Sequence, residues 1–160
     1  MSKEVLLEQF KACYDENNWF VSLKSALEGV SAEQAVWKPA NVDNSIWESV
    51  NHLAYWNERY LQIWRKEMTD PQDVENKSTF RSSESDWNAA RENLYRVMNE
   101  WKSELESVSE EQLNGLITEK YRFPWYSALG HQNVHNAYHV GQILLLRKLQ
   151  GSWDHEKGVS

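Results

Sequence analysis

The strongest helical pattern in the chain lies in residues 87–108, WNAARENLYRVMNEWKSELESV. Its apolar residues follow one another at steps of three or four, as Trp87, Ala90, Leu94, Val97, Trp101, Leu105 and Val108. Side chains at these steps lie on one face of an α-helix. The stretch therefore predicts a long amphipathic helix whose apolar face packs against other helices.

Three further segments also carry apolar residues at helical spacing: about 3–28, about 45–68 and about 126–150. The stripe of the first consists of Leu6, Phe10, Cys13, Phe20 and Leu27, and that of the second of Ile46, Val50, Leu53, Asn57, Tyr60, Leu61 and Trp64. Ser45 and Glu48 form a capping-box pattern, and Gly29 and Gly151 follow the first and last segments. No stretch alternates apolar and polar residues, so we predict no strand.

Four helices of this length predict an all-α protein, a four-helix bundle built as one domain over residues 1–160. The connections between the helices are long: about 30–44, about 69–83 and about 109–125. Bundle helices are usually joined by about 2–8 residues, so we expect some of these connections to cross the bundle. All three prolines fall in the connections, where they interrupt no helix: Pro39, Pro71 and Pro124.

A short pattern follows both the first and the third segment, as Val30-Ser-Ala-Glu-Gln34 and Val108-Ser-Glu-Glu-Gln112. One interpretation is an old duplication of a helix pair. The other is that Ser-x-x-Gln forms a capping box at the start of a short helical turn. We favour the capping box because it is a common local motif.

Composition excludes several classes of function. The chain has 17 basic and 24 acidic residues, a net charge of −7, which argues against sequence-independent binding of nucleic acid. No apolar run approaches the roughly 20 residues that span a membrane, and the acidic residues near the N-terminus are unlike a signal peptide. The single cysteine, Cys13, allows no intramolecular disulfide, so we expect a cytoplasmic protein. Nine tryptophans indicate an aromatic-lined pocket or interface.

The histidines are grouped rather than scattered. His131, His135 and His139 are spaced one turn apart on the fourth predicted helix, His52 lies in the second, and His155 lies near the C-terminus. Residues four apart on a helix project side by side, so His135 and His139 can bind one metal ion. His52 is the only histidine on another predicted helix. The alternative for an isolated pair is two histidines hydrogen-bonded in the core.

The surroundings of this pair favour a metal site over the core alternative. Residues 134–142, VHNAYHVGQ, are mostly apolar, and Gly141 would let another helix approach. Buried charged imidazoles are costly, whereas a metal holds its histidine ligands neutral. The spacing is also that of the zincin peptidases, but the glutamate that serves them as general base is replaced here by Asn136. We therefore expect no peptidase of that class.

Two blocks, residues 50–56 (VNHLAYW) and 135–143 (HNAYHVGQI), resemble the DinB-like helical superfamily of metalloenzymes, which includes the bacillithiol transferases. The resemblance covers nearly the whole chain. It implies a bundle of up-down-down-up topology and a homodimer. It also implies a divalent metal ion, Zn or Ni, held by His52, His135 and His139. In the transferase members a small thiol attacks a small electrophilic substrate.

Further residues are candidates for the pocket around such a metal. His131 is either a pocket residue or a solvent-facing histidine, and Gln142 either orients a ligand or bonds a neighbouring helix. Glu48 could support His52, but we favour its capping-box role. Trp56 is a candidate pocket wall, with core packing as the default. Cys13 lies on an apolar stripe, and we interpret it as a core residue rather than a nucleophile.

Three classes of function remain open on the sequence. The first is a metal-dependent enzyme: a low-molecular-weight-thiol S-transferase, with a metal-dependent hydrolase as the alternative chemistry. The second is a non-catalytic metal-binding protein of the stress response. The third is a helical interaction module with incidental histidines, which the grouping of His52 with the helix-four pair argues against.

Overall fold

A computed structural model describes residues 3–68, 74–82 and 86–158 of the chain. The described residues form α-helices joined by turns and two short 3₁₀ turns, with no strand beyond one isolated bridge between Leu116 and Pro124. The α-helices are α1 (Lys3–Tyr14), α2 (Leu23–Leu27), α3 (Ala32–Val36), α4 (Ile46–Trp64), α5 (Trp87–Ser107), α6 (Glu110–Asn114) and α7 (Trp125–Leu149). The predicted all-α class is confirmed. No helix in the described ranges is long and apolar enough to cross a membrane.

The prediction for residues 87–108 is confirmed almost to the residue. Helix α5 begins after Asp86, whose side chain accepts a hydrogen bond from the Ala89 N–H at 2.7 Å. All seven residues of the predicted stripe are buried, and Trp101 is fully so. The indole N–H of Trp101 donates to the Asn57 carbonyl at 2.8 Å, which joins α5 to α4.

The four long helices contact one another in a ring. Helix α1 packs on α5 and α7, and α4 packs on the same two helices. The most extensive contact between two of these helices is the one between α4 and α5, which are consecutive long helices in the chain. The principal contacts of α1 are with α5 and α7 rather than with α4, the long helix that follows it along the chain.

The predicted first helix, about 3–28, is wrong in its middle. Helix α1 ends at Tyr14, and α2 begins only after Ser22, its N-cap. Asn17 lies between them, and its side-chain oxygen accepts a hydrogen bond from the Ser22 N–H at 3.0 Å. Short polar side chains of this kind compete with helical hydrogen bonds. Phe20, assigned to the buried stripe, is consequently 38% exposed, and Trp19 beside it is 93% exposed.

The other long helices match their predicted ranges within a few residues. Ser45 forms the expected capping box with Glu48, although α4 ends at Trp64 rather than near residue 68. Gly29 and Gly151 adopt φ values of 71° and 74°, the left-handed conformation that favours glycine after a helix.

The connections are partly helical. Ser31 and Ser109 form capping boxes with Gln34 and Gln112 at the starts of α3 and α6, so the favoured interpretation of the repeated pattern is confirmed. A 3₁₀ turn over Asn76–Thr79 packs against α4. Pro71, assigned to the same connection, lies outside the described residues.

Candidate metal centre

Three histidines from two helices converge at one point. His52 comes from α4, and His135 and His139 come from successive turns of α7. One ring nitrogen of each lies within 4.8 Å of the others, and the Nε2 atoms of His52 and His135 are 3.1 Å apart. His52 and His139 are buried and His135 is half-buried. The structure thus brings together the three histidines singled out in the sequence.

The other ring nitrogen of His52 is bound by a residue that the sequence did not suggest. Thr79, in the 3₁₀ turn, places its Oγ1 2.7 Å from His52 Nδ1. The Thr79 hydroxyl donates its one proton to the Asn76 carbonyl at 2.7 Å. It must therefore accept from His52, which assigns the proton to Nδ1 and leaves Nε2 with a free lone pair facing His135.

The cluster favours neutral imidazoles. Burial, with the neighbouring His139 and His135, lowers the pKa of His52 to about 3. Burial, with His135, lowers the pKa of His139 to about 4, although the adjacent Gln142 side chain partly offsets this. Burial also lowers the pKa of His135. All three rings are uncharged at neutral pH, which is the form that binds a metal.

The donor set fits a divalent metal ion. Two ligand nitrogens at 2.0–2.1 Å from a tetrahedral ion are about 3.3 Å apart, close to the 3.1 Å between His52 and His135. Nδ1 of His139 is buried and has no hydrogen-bond partner within the described residues, so this nitrogen is free to bind a ligand. Three neutral nitrogens suit Zn and Ni among other metals.

Buried amides hold α4 and α7 in register beside the cluster. Asn57 donates to the Asn136 side chain at 2.9 Å, and its own oxygen accepts from Gln132 at 2.6 Å. Asn57 and Asn136 are almost fully buried. Asn136, which occupies the position of the zincin glutamate, therefore points into the helix interface and serves the packing of the two helices.

The histidines form part of the wall of a cavity of about 780 Å³. Phe80 stacks on the His52 ring, with centroids 3.9 Å apart and planes at 11°. The remaining wall is largely polar and includes Lys77, Tyr138 and Gln142. The ligand nitrogens thus face a space large enough for a small molecule.

Glu48 lines this cavity, but its carboxylate is already engaged. Its Oε2 accepts from the Ser45 N–H at 2.7 Å and from Lys38 Nζ at 2.9 Å. Burial alone would raise the pKa of Glu48, but the bonds to Ser45 and Lys38 outweigh it, and the pKa is lowered. The favoured interpretation as a capping-box carboxylate is confirmed.

The other candidates have distinct positions. Trp56 meets the His52 ring edge-on at 6.5 Å and donates to the Asn76 side chain at 3.2 Å. His131 is exposed and lies outside the three-histidine cluster, although it lines a neighbouring cavity. Cys13 is buried, and burial raises the pKa of its thiol to about 11, as expected for a core residue.

The prediction that Gly141 lets another helix approach is wrong. Gly141 is exposed, and a Cβ built on it would meet nothing within 4 Å, so it permits no close helix approach. Val134 and Tyr138 are also largely exposed, at 70% and 62%. The apolar letters around His135 and His139 thus lie partly on the outer face of α7, while the histidines themselves face inward.

Comparison with known proteins identifies the family. The sequence model of the DinB superfamily matches residues 20–143. A crystal structure of a conserved protein from Enterococcus faecalis shares the fold, with a TM-score of 0.59 and 17% identity over 92% of this chain and 91% of that one. A comparison with curated protein sequences gave no match. Because this match covers well over half of the chain, the chain belongs to the DinB superfamily.

Proposed function

We propose that this protein is a divalent-metal-dependent enzyme, a transferase that joins a small thiol to a small electrophilic substrate, with His52, His135 and His139 as the metal ligands. One observation carries the proposal: three histidine side chains from two helices converge on the wall of a 780 Å³ cavity. Three protein nitrogens with an open position are typical of catalytic rather than structural sites. Zn and Ni are the metals we propose.

A divalent ion in this position would lower the pKa of a bound thiol or water molecule. The residues of the chain itself would orient the metal ligands and bind the reactants. Thr79 fixes the His52 ring, and Phe80 packs on it and shields it from water. Lys77 and Gln142 give the cavity a polar wall that suits a charged, low-molecular-weight thiol. In the transfer, the sulfur–carbon bond would form while the bond from carbon to the leaving group breaks; the leaving group departs with the bonding electron pair, and the thiol proton passes to water.

The alternatives have weaker support. A hydrolase would need a free carboxylate beside the cluster as general base, and Glu48 is held by Ser45 and Lys38. A structural site would need a fourth protein ligand. In the described part of the chain the group that could hold a metal contains only the three histidines.

We also propose a single domain with the up-down-down-up bundle topology, a homodimer and a cytoplasmic location. The ring of contacts among α1, α5, α4 and α7 supports a crossover bundle. An exposed apolar stripe along α7 supports self-association: Val134, Tyr138, Leu145 and Leu149.

The proposal is tested with monochlorobimane as the electrophile and cysteine, glutathione and bacillithiol as thiols. Fluorescent product is followed for the metal-loaded protein, the chelator-stripped protein and the variant His135→Ala. His155→Ala is the control, because His155 is exposed and lines neither the cavity beside the cluster nor its neighbour. We expect turnover that depends on metal and on His135 but not on His155. Equal rates in loaded and stripped protein, with every thiol, would contradict the transferase.

A further inference from the structure

A second cavity, of about 250 Å³, adjoins the first. The two share Asn76 and His135 in their walls, so the second cavity opens beside one of the candidate metal ligands. A molecule that spans both cavities would pass directly by the three-histidine cluster. The adjoining cavity therefore belongs to the same functional region of the protein.

The chemical character of this cavity differs from that of the first. Its walls include Trp56, Tyr60, Phe123 and Ala128, whereas the larger cavity contains Asp43, Glu48 and Lys77. Aromatic walls favour flat apolar ligands, which stack on or meet the rings edge-on. A cavity of roughly 150 Å³ already binds benzene, so this one has room for two fused rings.

One polar group in the wall has an unused acceptor. The Asn57 side-chain NH₂ donates to the Leu53 carbonyl at 2.8 Å. This bond fixes the orientation of the Asn57 amide, so that its side-chain oxygen lies toward Gln132. Gln132 must then donate through Nε2, at 2.6 Å, which leaves Oε1 as the acceptor of its amide. Gln132 is nine-tenths buried, and this Oε1 has no partner among the described residues. Such an orphan acceptor is unfavourable unless a ligand supplies a donor.

We propose that this second cavity binds the ring of the substrate, a planar aromatic group of one or two rings that carries an O–H or N–H donor for Gln132. The assignment of that ligand as substrate rests on the proposed function. The larger polar cavity then accommodates the thiol, and His135 lies between the two compounds. The two cavities divide the substrates by polarity.

The probe for the cavity is 2-naphthol, titrated calorimetrically into metal-stripped and metal-loaded protein. Its matched analogue is 2-methoxynaphthalene, which has the same rings but no donor. We expect 2-naphthol to bind one site per chain in both metal states. Because the analogue cannot donate a hydrogen bond to Gln132, its affinity should be lower by about fivefold or more.

Two variants locate the binding. Phe123→Ala removes an aromatic wall from a residue that is 37% exposed, so the fold should be retained, and we expect binding to weaken about fivefold. Lys77→Ala changes only the larger cavity and should leave 2-naphthol affinity unchanged. Melting curves of both variants check the fold.

Absence of binding at about 1 mM in both metal states would overturn the inference, as would weakening by Lys77→Ala but not by Phe123→Ala. Equal affinity for the two naphthalenes would remove the role of Gln132. Because 2-naphthol binding is also measured in the stripped protein, the test of the aromatic site does not depend on metal binding. If the protein binds 2-naphthol but holds no metal, the proposed function fails while the aromatic site stands.

Discussion

His52 Nδ1 and Thr79 Oγ1 lie 2.7 Å apart, and the Thr79 hydroxyl donates onward to the Asn76 carbonyl. This pair links a short 3₁₀ turn to the buried face of α4. It determines which nitrogen of His52 carries the proton, and hence which one is free to bind a metal. The site therefore depends on a residue outside the histidine pattern.

Replacing Thr79 with valine should lower metal affinity without removing a ligand. The variant Thr79→Val keeps the shape of the side chain but cannot accept the hydrogen bond from His52 Nδ1. Loss of such a partner lowers metal affinity by about 10- to 100-fold. Competition with a chromophoric chelator measures the change. Thr79→Ser should bind metal nearly as well as the wild type, and Ser78→Ala, in the same turn, is the control. Unchanged affinity in Thr79→Val would remove the positioning role.

Acid should destabilise the metal-free protein between about pH 6 and pH 4. The folded-state pKa values of His52 and His139, about 3 and about 4, lie below the unfolded value of about 6.5. In this window the unfolded chain binds more protons, so stability rises with pH and is lost on acidification. Each histidine contributes at most about 1.4 kcal/mol per pH unit.

Urea unfolding of chelator-stripped protein at pH 7, 6 and 5 measures this dependence. The variant His139→Asn removes one of the two strongly shifted groups, so its free energy of unfolding should fall less steeply with acid. His131→Asn, at an exposed position, should follow the wild-type curve. A wild-type stability that is flat over this range would show that the folded-state pKa values are not depressed.

The buried amides between α4 and α7 should contribute strongly to the free energy of unfolding. Asn57→Leu leaves the buried side chains of Asn136 and Gln132 without their partner, and each unsatisfied group costs about 1–3 kcal/mol. We expect a loss of at least about 2 kcal/mol in the free energy of unfolding. Asn88→Leu, on the exposed face of α5, is the control.

Urea denaturation distinguishes this network from simple packing. The double variant Asn57→Leu with Asn136→Leu removes both members of the Asn57–Asn136 pair and leaves only Gln132 without its partner. It should therefore recover part of the stability lost in the single variant. If Asn57→Leu is as stable as the wild type, the amides do not couple the two helices.

The long helices and the histidine cluster could be predicted because their signals are local or periodic. Seven apolar residues at steps of three and four define α5, and Ser45 with Glu48 marks the start of α4. His135 and His139 form an i, i+4 pair. His52 is the only histidine on another predicted helix, and the family resemblance implies that it binds the same metal. These patterns survive folding because each element buries the face that the sequence presents.

The remainder could not be predicted, for identifiable physical reasons. Thr79 and Phe80 lie in a short turn without periodicity, 27 and 28 positions from His52, and only tertiary contacts bring them to it. The apolar spacing of the first segment continued through Phe20 by coincidence, while Asn17 bonded the backbone and ended the helix. Hydrophobic period alone does not detect such competition.

Metal content tests the central claim most directly. The protein is purified without a histidine tag at pH 7.5, and bound metal is measured by elemental analysis for the wild type, His139→Ala and His131→Ala, with melting curves before and after chelation. Metal at about 100 times its dissociation constant adds about 2.7 kcal/mol, or roughly 5–10 °C in melting temperature. We predict about one equivalent of Zn or Ni per chain, lost with its thermal shift in His139→Ala and retained in His131→Ala. No bound metal and no shift after reloading with Zn and Ni would contradict the metal centre and the function built on it.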